Sequence, residues 1–222
     1  MDNRIAKGAL AAEFFGAMFL VMAAIAPTIM FIEVLDVPKG MAIVANAIAV
    51  AFVLCALIEM FGPVSGAHFN PVVTMIMALE KKIGTGKAVL FVLFQFVGGL
   101  LGTVLSHLMF LDTVGTLLAV SDNVQDGYVI FGEVFGTFIL ILAILLLVKT
   151  QSNKISIMLG FLVGGQIMST SSTMFANPQV TIARIFTNTA SGIRPMDAAV
   201  FVVMQVIGAL LAYGAYRLIF AK

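Results

Sequence analysis

Two Asn-Pro pairs, Asn70-Pro71 and Asn177-Pro178, stand 107 residues apart in a chain that is otherwise 61% hydrophobic. The second lies in STSSTMFANPQVTIARIFTNTASGI, residues 169–193, a hydroxyl-rich stretch that also carries Arg184 and interrupts one of the most apolar parts of the sequence. Proline at a first helical position has no amide hydrogen to lose, and asparagine before it is a favoured N-cap, so each pair reads as the start of a helix. Other residues in or beside the apolar runs that could do chemistry are Glu13, Glu59, Glu133, His68, His107 and Cys55. They show no nucleophile paired with a base and no metal-ligand spacing. A single cysteine cannot build a disulfide framework or a metal cluster. The sequence therefore speaks against an enzyme, and no catalytic residue, metal or cofactor is expected.

The elements that must position these residues are membrane helices. Only 10% of the 222 residues are charged, and the mean hydropathy is +1.13. A bilayer core of about 30 Å takes roughly 20 apolar residues per helix. Six stretches qualify, at about 8–31, 41–61, 86–110, 128–149, 156–173 and 196–219. The apolar run after Arg4 and Lys7 is too long for a signal peptide and contains Glu13, so it reads as the first span. One membrane domain, 1–222, uses the whole chain. With the N-terminus inside, Arg4, Lys7, Lys81, Lys82, Lys87, Lys149, Lys154, Arg217 and Lys222 fall on one side, against Lys39, Arg184 and Arg194 on the other. That bias predicts cytoplasmic termini in a multi-pass inner (plasma) membrane protein. The acidic residues Glu33, Asp36, Asp112, Asp122, Asp126 and Asp197 collect opposite but orient weakly.

Self-comparison reveals a duplication. AAEFFGAMFLVMAA (11–24) aligns with FGEVFGTFILILAI (131–144), pairing Glu13 with Glu133 and Gly16 with Gly136. FVLFQFVGGLLGTVL (91–105) aligns with FVVMQVIGALLAYGA (201–215), pairing Gln95 with Gln205 and Gly98 with Gly208. Between them GAHFNPVVTM (66–75) aligns with MFANPQVTIA (174–183). Repeat 1 covers about 8–110 and repeat 2 about 128–219. Three spans per copy is an odd number, so the second copy inserts upside down, an arrangement that places a substrate path between the halves. Residues 71–80 and 178–187 then read as half-spanning helices, each about 15 Å long at 1.5 Å per residue. They enter from opposite faces and meet N-terminus to N-terminus near the midplane. Irregular backbone at that depth must be buried in protein or line a watery cavity.

These features together resemble the major intrinsic protein family, the aquaporins and aquaglyceroporins. The resemblance rests on Glu13 and Glu133, SGAHFNPVV (65–73), FANPQV (175–180) and the QFVGG and QVIGA segments, and covers nearly the whole chain. It implies an all-α, aquaporin-like fold of six tilted helices and two re-entrant half-helices, assembled as a homotetramer in lipid with one pore per subunit. The family's Asn-Pro-Ala becomes Asn70-Pro71-Val72 and Asn177-Pro178-Gln179, and the position of its filter arginine holds Val180. Carried over by distance from the motifs, the other filter positions fall at Val50, Met174 and Gly165, with Ile167 the competitor for the last. ANPxVTIAR followed by GIRP is similar to a bacterial subgroup associated with arsenic resistance, whose members pass neutral trivalent arsenicals.

At the pore midplane, Asn70 and Asn177 can cap their own helices through the side-chain oxygen and turn the amide toward a passing solute. The two helix starts also each carry roughly half a positive charge. A cation about 5 Å from both is repelled by about 3 kcal/mol at an effective dielectric of 20. His68 either lines the vestibule or is hydrogen-bonded in the interior. Gln179 either narrows the junction or donates to the opposite half-helix. Arg184, about 6 Å beyond Val180, is either a vestibule residue or a loop anchor. Intramembrane Glu13 and Glu133 could relay protons. The resemblance instead implies that each braces the re-entrant loop of its own half, with Gln95 and Gln205 tying helices to those loops. Gly98, Gly99, Gly102, Gly208 and Gly214 suggest close helix contacts. The reading favoured is a passive channel for small neutral solutes: glycerol-like polyols, undissociated or methylated metalloid acids such as arsenite, and water. A water-selective pore, a non-conducting scaffold of the same fold, and an ion channel or proton-coupled transporter are the alternatives. No nucleic-acid partner is expected.

Overall fold

The computed structural model describes residues 3–125 and 127–221, with side chains from residue 7 onward. Helix α1 (Asn3–Thr28) continues as a π-helical stretch, Ile29–Val34. After it come α2 (Lys39–Ser65), the short α3 (Pro71–Leu79), α4 (Thr85–Met109) and a single turn, α5 (Leu111–Val114). The second half repeats the plan: α6 (Val129–Lys149), α7 (Ile155–Ser169), the short α8 (Pro178–Ala183) with a 3-10 turn at Arg184–Phe186, and α9 (Pro195–Ile219). Among the described residues five helices, α1 with its π extension, α2, α4, α6 and α9, are long and apolar enough to cross a bilayer.

The fifth apolar stretch is shorter than its 156–173 reading. Helix α7 stops at Ser169, about 22 Å for its 15 residues. Thr170 turns extended, and Thr173 and Met174 take left-handed φ values of 54° and 46°, so this backbone belongs to the loop that feeds Asn177. The half-helices match their expected starts. Nine residues of α3 and six of α8, the latter prolonged by three in 3-10 form, give each a rise of about 14–15 Å.

The π stretch has a local cause. Pro27 has no N–H to return to the carbonyl of Ala23, four residues back. Asn46 of α2 fills the gap, its Nδ2 donating to Ala23 O at 3.2 Å and Ala24 O at 3.1 Å. At the far end of α2, Gly66 closes the helix in the left-handed conformation, φ 94°, and returns its N–H to Gly62 O at 3.0 Å.

Packing follows the duplication. Helix α1 lies on α4 as α6 lies on α9, and α2 joins the halves by packing on both α1 and α7. A Cβ added at Gly98 would stand 2.2 Å from Phe14 O, and one at Gly208 would stand 2.4 Å from Val134 O. Backbone thus meets backbone at the same place in both copies. Gly102 does the same against Met18 O, but Gly214 faces open space and makes no close crossing. On α7, Gly160 and Gly164 admit Cys55 and the carbonyls of Ala51 and Ala47. Cys55 is a packing residue there, its thiol donating to Ser156 O at 3.3 Å.

Both chain ends reach one face. Gly8 lies against Val64, Arg217 pairs with Glu80 at 3.7 Å, and Lys149 Nζ sits 5.5 Å from the Phe220 ring. On the other face Ala119 N donates to Phe186 O at 3.1 Å and Arg194 N to Asn123 O at 2.8 Å. Of the charges used to orient the chain, Arg4, Asp126 and Lys222 lie outside the described residues or side chains.

Candidate functional site

The site is built where the loops leading into α3 and α8 turn back inside the protein. Each loop alternates into the left-handed region, at Ala67 and Phe69 (φ 51° and 48°) in the first copy and at Met174 and Ala176 (both 46°) in the second. The pairs are related by the same offset of 107 as the asparagines. Such conformations cost about 1 kcal/mol or more per residue and persist only where the surroundings enforce them. Glu13 and Glu133 supply that enforcement. Glu13 accepts from His68 N at 3.0 Å and Phe69 N at 2.8 Å, and also from Ser65 Oγ at 2.6 Å and Gln95 Nε2 at 2.7 Å. Glu133 accepts from Phe175 N and Ala176 N, both at 2.9 Å, and from Gln205 Nε2 at 2.6 Å. Both carboxyls are wholly buried.

The glutamines extend each brace to the half-helix. Gln95 Nε2 also donates to Thr74 Oγ1 at 3.0 Å, and Gln205 Nε2 to Thr181 Oγ1 at 2.8 Å. Each threonine hydroxyl donates to the carbonyl of the asparagine four residues back, at 3.0 Å in both copies. The chain from glutamate to glutamine to threonine to asparagine is duplicated in full. Each glutamine gives both hydrogens and leaves its Oε1 without a partner among the described residues, again in both copies.

The two tips touch. Asn70 Oδ1 accepts from Val72 N at 3.0 Å and Asn177 Oδ1 from Gln179 N at 3.2 Å, as N-caps do. Each amide nitrogen crosses to the other copy, Asn70 Nδ2 donating to Ala176 O at 2.8 Å and Asn177 Nδ2 to Phe69 O at 2.9 Å. An amide nitrogen has two hydrogens. One is used in this exchange, and both asparagines border a cavity to which the other can turn.

That cavity, about 90 Å³, runs past both tips from Asn46 and Arg184 at one end to Ile58 and His68 at the other. It adjoins a wider vestibule of about 400 Å³ on the terminal face, reaching Ser152 and Asn153 and lined in part by Glu59. Glu59 accepts from Ser156 Oγ at 2.9 Å. His68 borders both cavities and is held by Thr74 Oγ1 at 3.1 Å and the edge of Phe91.

Between the tips and Arg184 the wall is apolar. Val50, Met174 and Val180 line it, together with Ile167 of α7. Gly165 is corrected: it is not part of the lining and its open side meets nothing within 4 Å. Leu159, Val163 and Ile167 follow a spacing of four and share one face, whereas two residues turn a helix by about 200°. Val72 packs with Ile141 and Ala209, and it is its neighbour Val73 that borders the cavity. Gln179 points away from it, into the space left by Gly99, with its Nε2 3.3 Å from Phe69 O. It donates across to the opposite loop, one of its two readings, and does not narrow the passage.

Arg184 combines two roles read as alternatives. It lines the cavity, and it anchors the following loop through Nε to Ser191 O while its Cζ lies 3.6 Å from the centre of the Phe175 ring. His107, given no role from sequence, joins the same region through Thr187 Oγ1 at 2.7 Å and Thr116 O at 3.1 Å. Sequence reasoning also passed over Asn46, Ser65, Thr74 and Thr181. The 107-residue offset pairs Thr74 with Thr181 and was signal enough to find them. Asn46 follows from the missing donor at Pro27.

A narrow lumen between two inverted, mutually braced halves, walled by apolar side chains and crossed by asparagine amides, defines a passive membrane channel for small neutral solutes, not an enzyme. The comparisons agree. The sequence model of the family described as "Major intrinsic protein" matches residues 2–176, and the chain belongs to that family. It is 35% identical over 211 residues to Aquaglyceroporin AqpS of Rhizobium meliloti (strain 1021), spanning 93% of this chain and 87% of that protein. It is 28% identical over 215 residues to Glycerol uptake facilitator protein-like 6 of Lactiplantibacillus plantarum, spanning 90% and 93%. The X-ray structure of the aquaglyceroporin from Plasmodium falciparum superposes with a TM-score of 0.70 at 18% identity, covering 97% of both chains, and shares the fold.

Proposed function

We infer that the channel conducts uncharged solutes of glycerol size, including undissociated metalloid acids such as arsenite and their methylated forms, and that water passes with them. The observation that carries this reading is the collar of Val50, Ile167, Met174 and Val180, four apolar side chains of which none is aromatic or charged. An apolar collar gives water no replacement for the hydrogen bonds it leaves behind, and it tolerates the carbon skeleton of a polyol. The names of the relatives, an aquaglyceroporin and a glycerol uptake facilitator protein-like chain, point the same way.

The working unit proposed is a homotetramer embedded in lipid. Large apolar side chains such as Phe52, Phe131 and Phe161 stand exposed on the single subunit and suit contact with lipid or a sister subunit. The face carrying the chain ends is assigned to the cytoplasm, because Lys7, Lys81, Lys82, Lys87, Lys149, Lys154 and Arg217 gather on it. The test is light scattering from reconstituted vesicles challenged separately with water, glycerol and arsenite. Flux of all three that is linear in the gradient and indifferent to voltage is the expected result; water flux with neither larger solute would make the pore water-selective and end this reading.

A further inference from the structure

One helical turn outside the apolar collar the wall becomes polar again. Asn46 precedes Val50 by four residues on α2, and Arg184 follows Val180 by four beyond α8. The two helices run in opposite senses, so both steps lead about 6 Å away from the midplane. Asn46 and Arg184 line the same cavity as the valines they flank. Arg184 is held in place there: Nε is bound to Ser191 O, the guanidinium lies on the Phe175 face, and its own carbonyl accepts from Ile193 N at 3.2 Å. Its Nη nitrogens carry no hydrogen bond among the described residues. Asn46 is held as firmly, with Nδ2 committed to Ala23 O and Ala24 O, while its Oδ1 accepts no hydrogen bond among the described residues. No Asp or Glu lines this cavity among the described residues; Glu133, the acid that acts on Arg184 through space, is buried outside the lining and accepts from Phe175 N, Ala176 N and Gln205 Nε2.

We propose that Asn46 and Arg184 form an outer polar collar that determines specificity, with Arg184 the residue by which this channel refuses cations. The proposal rests on the solute-channel reading above. A cation reaches Arg184 before the apolar collar strips its water, so rejection and size selection occur at separate levels of one tube. A hydroxyl-bearing solute finds at the same level a donor, Arg184 Nη, and an acceptor, Asn46 Oδ1. It can exchange hydrogen bonds there before entering the valine level.

The test uses potassium leak and glycerol flux in vesicles holding the full-length protein, for wild type, Arg184→Gln and Arg184→Lys, each checked for assembly by size-exclusion chromatography. Glutamine keeps a hydrogen-bond donor for Ser191 O without the charge, and the expected result is a potassium leak raised about tenfold. Lysine carries the charge only while protonated, so Arg184→Lys should match wild type at low pH and become leakier as the rising pH removes its proton, where wild type does not change. An assembled Arg184→Gln channel no leakier than wild type overturns the proposal. So does an Arg184→Lys leak that does not change with pH; this titration decides the matter if the glutamine variant fails to assemble. Glycerol flux in wild type tests the underlying channel reading separately.

Discussion

Phe69 O receives two side-chain donors from the other half of the chain, Asn177 Nδ2 at 2.9 Å and Gln179 Nε2 at 3.3 Å. Its counterpart Ala176 O receives one, Asn70 Nδ2, because the residue matching Gln179 is Val72. The midplane is thus unequal. A carbonyl has two lone pairs, so the protein saturates Phe69 O and leaves Ala176 O room for a solute. Gln179 can reach across only because Gly99 has no side chain; a Cβ there would lie 2.2 Å from Gln179 Oε1. Gly99→Ala should therefore destabilise the channel, and Gln179→Ala in the same chain should restore much of the loss. Alone, Gln179→Ala should cost about 1 kcal/mol, the size of one hydrogen bond. Thermal unfolding of the detergent-solubilised single and double variants reads the coupling.

Glu13 is the point at which the first loop would fail. Alanine there strands four donors, two of them main-chain N–H groups, at a cost of about 3 kcal/mol or more. Glu13→Gln keeps an acceptor oxygen and should lose less. Melting temperature and glycerol flux should fall together along the series glutamate, glutamine, alanine. A proton relay would instead lose activity in the glutamine variant with stability intact.

At the crossings the expected outcome is opposite for two similar changes. Gly98→Ala drives a methyl to 2.2 Å from Phe14 O, and a main-chain oxygen inside a helix has nowhere to move. Folded yield should collapse. Gly214→Ala meets nothing within 4 Å and should be silent, which the same expression and gel-filtration assay would report.

The collar predicts a change of preference. Val180→Arg should reduce glycerol and arsenite flux by about tenfold while sparing water, since a long cation narrows the lumen without closing it to the smallest solute. Ile167→Ala should do the reverse for solutes larger than glycerol, and Gly165→Ala should change neither. Equal loss of all three solutes in Val180→Arg would remove Val180 from the selectivity positions.

Much of this architecture could be read from the sequence because duplication turns single weak signals into pairs. Glu13 with Glu133, Gln95 with Gln205 and the two Asn-Pro starts announced a duplicated helical plan and two short helices whose starts meet. What could not be read were directions. Gly165 and Ile167 differ by two residues, and only the rotation of α7 decides between them. Val72 and Val73 differ by one, and the capping geometry of Asn70 sets which faces the lumen. Gln179 turned outward because of Gly99, a residue 80 positions away that pattern reasoning took for helix packing alone. Asn46 escaped notice because its partner is an absence, the N–H that Pro27 lacks.

The crossed asparagine bonds carry a consequence for biogenesis. When a ribosome has released only residues 1–110, Asn70 has no Ala176 to hold and Phe69 O has no donor from the second copy. The early half can insert but cannot finish its own interior. Completion waits for the late half, so two separately expressed fragments split in the 115–125 connection should regain a working passage only when both are supplied to the same membrane.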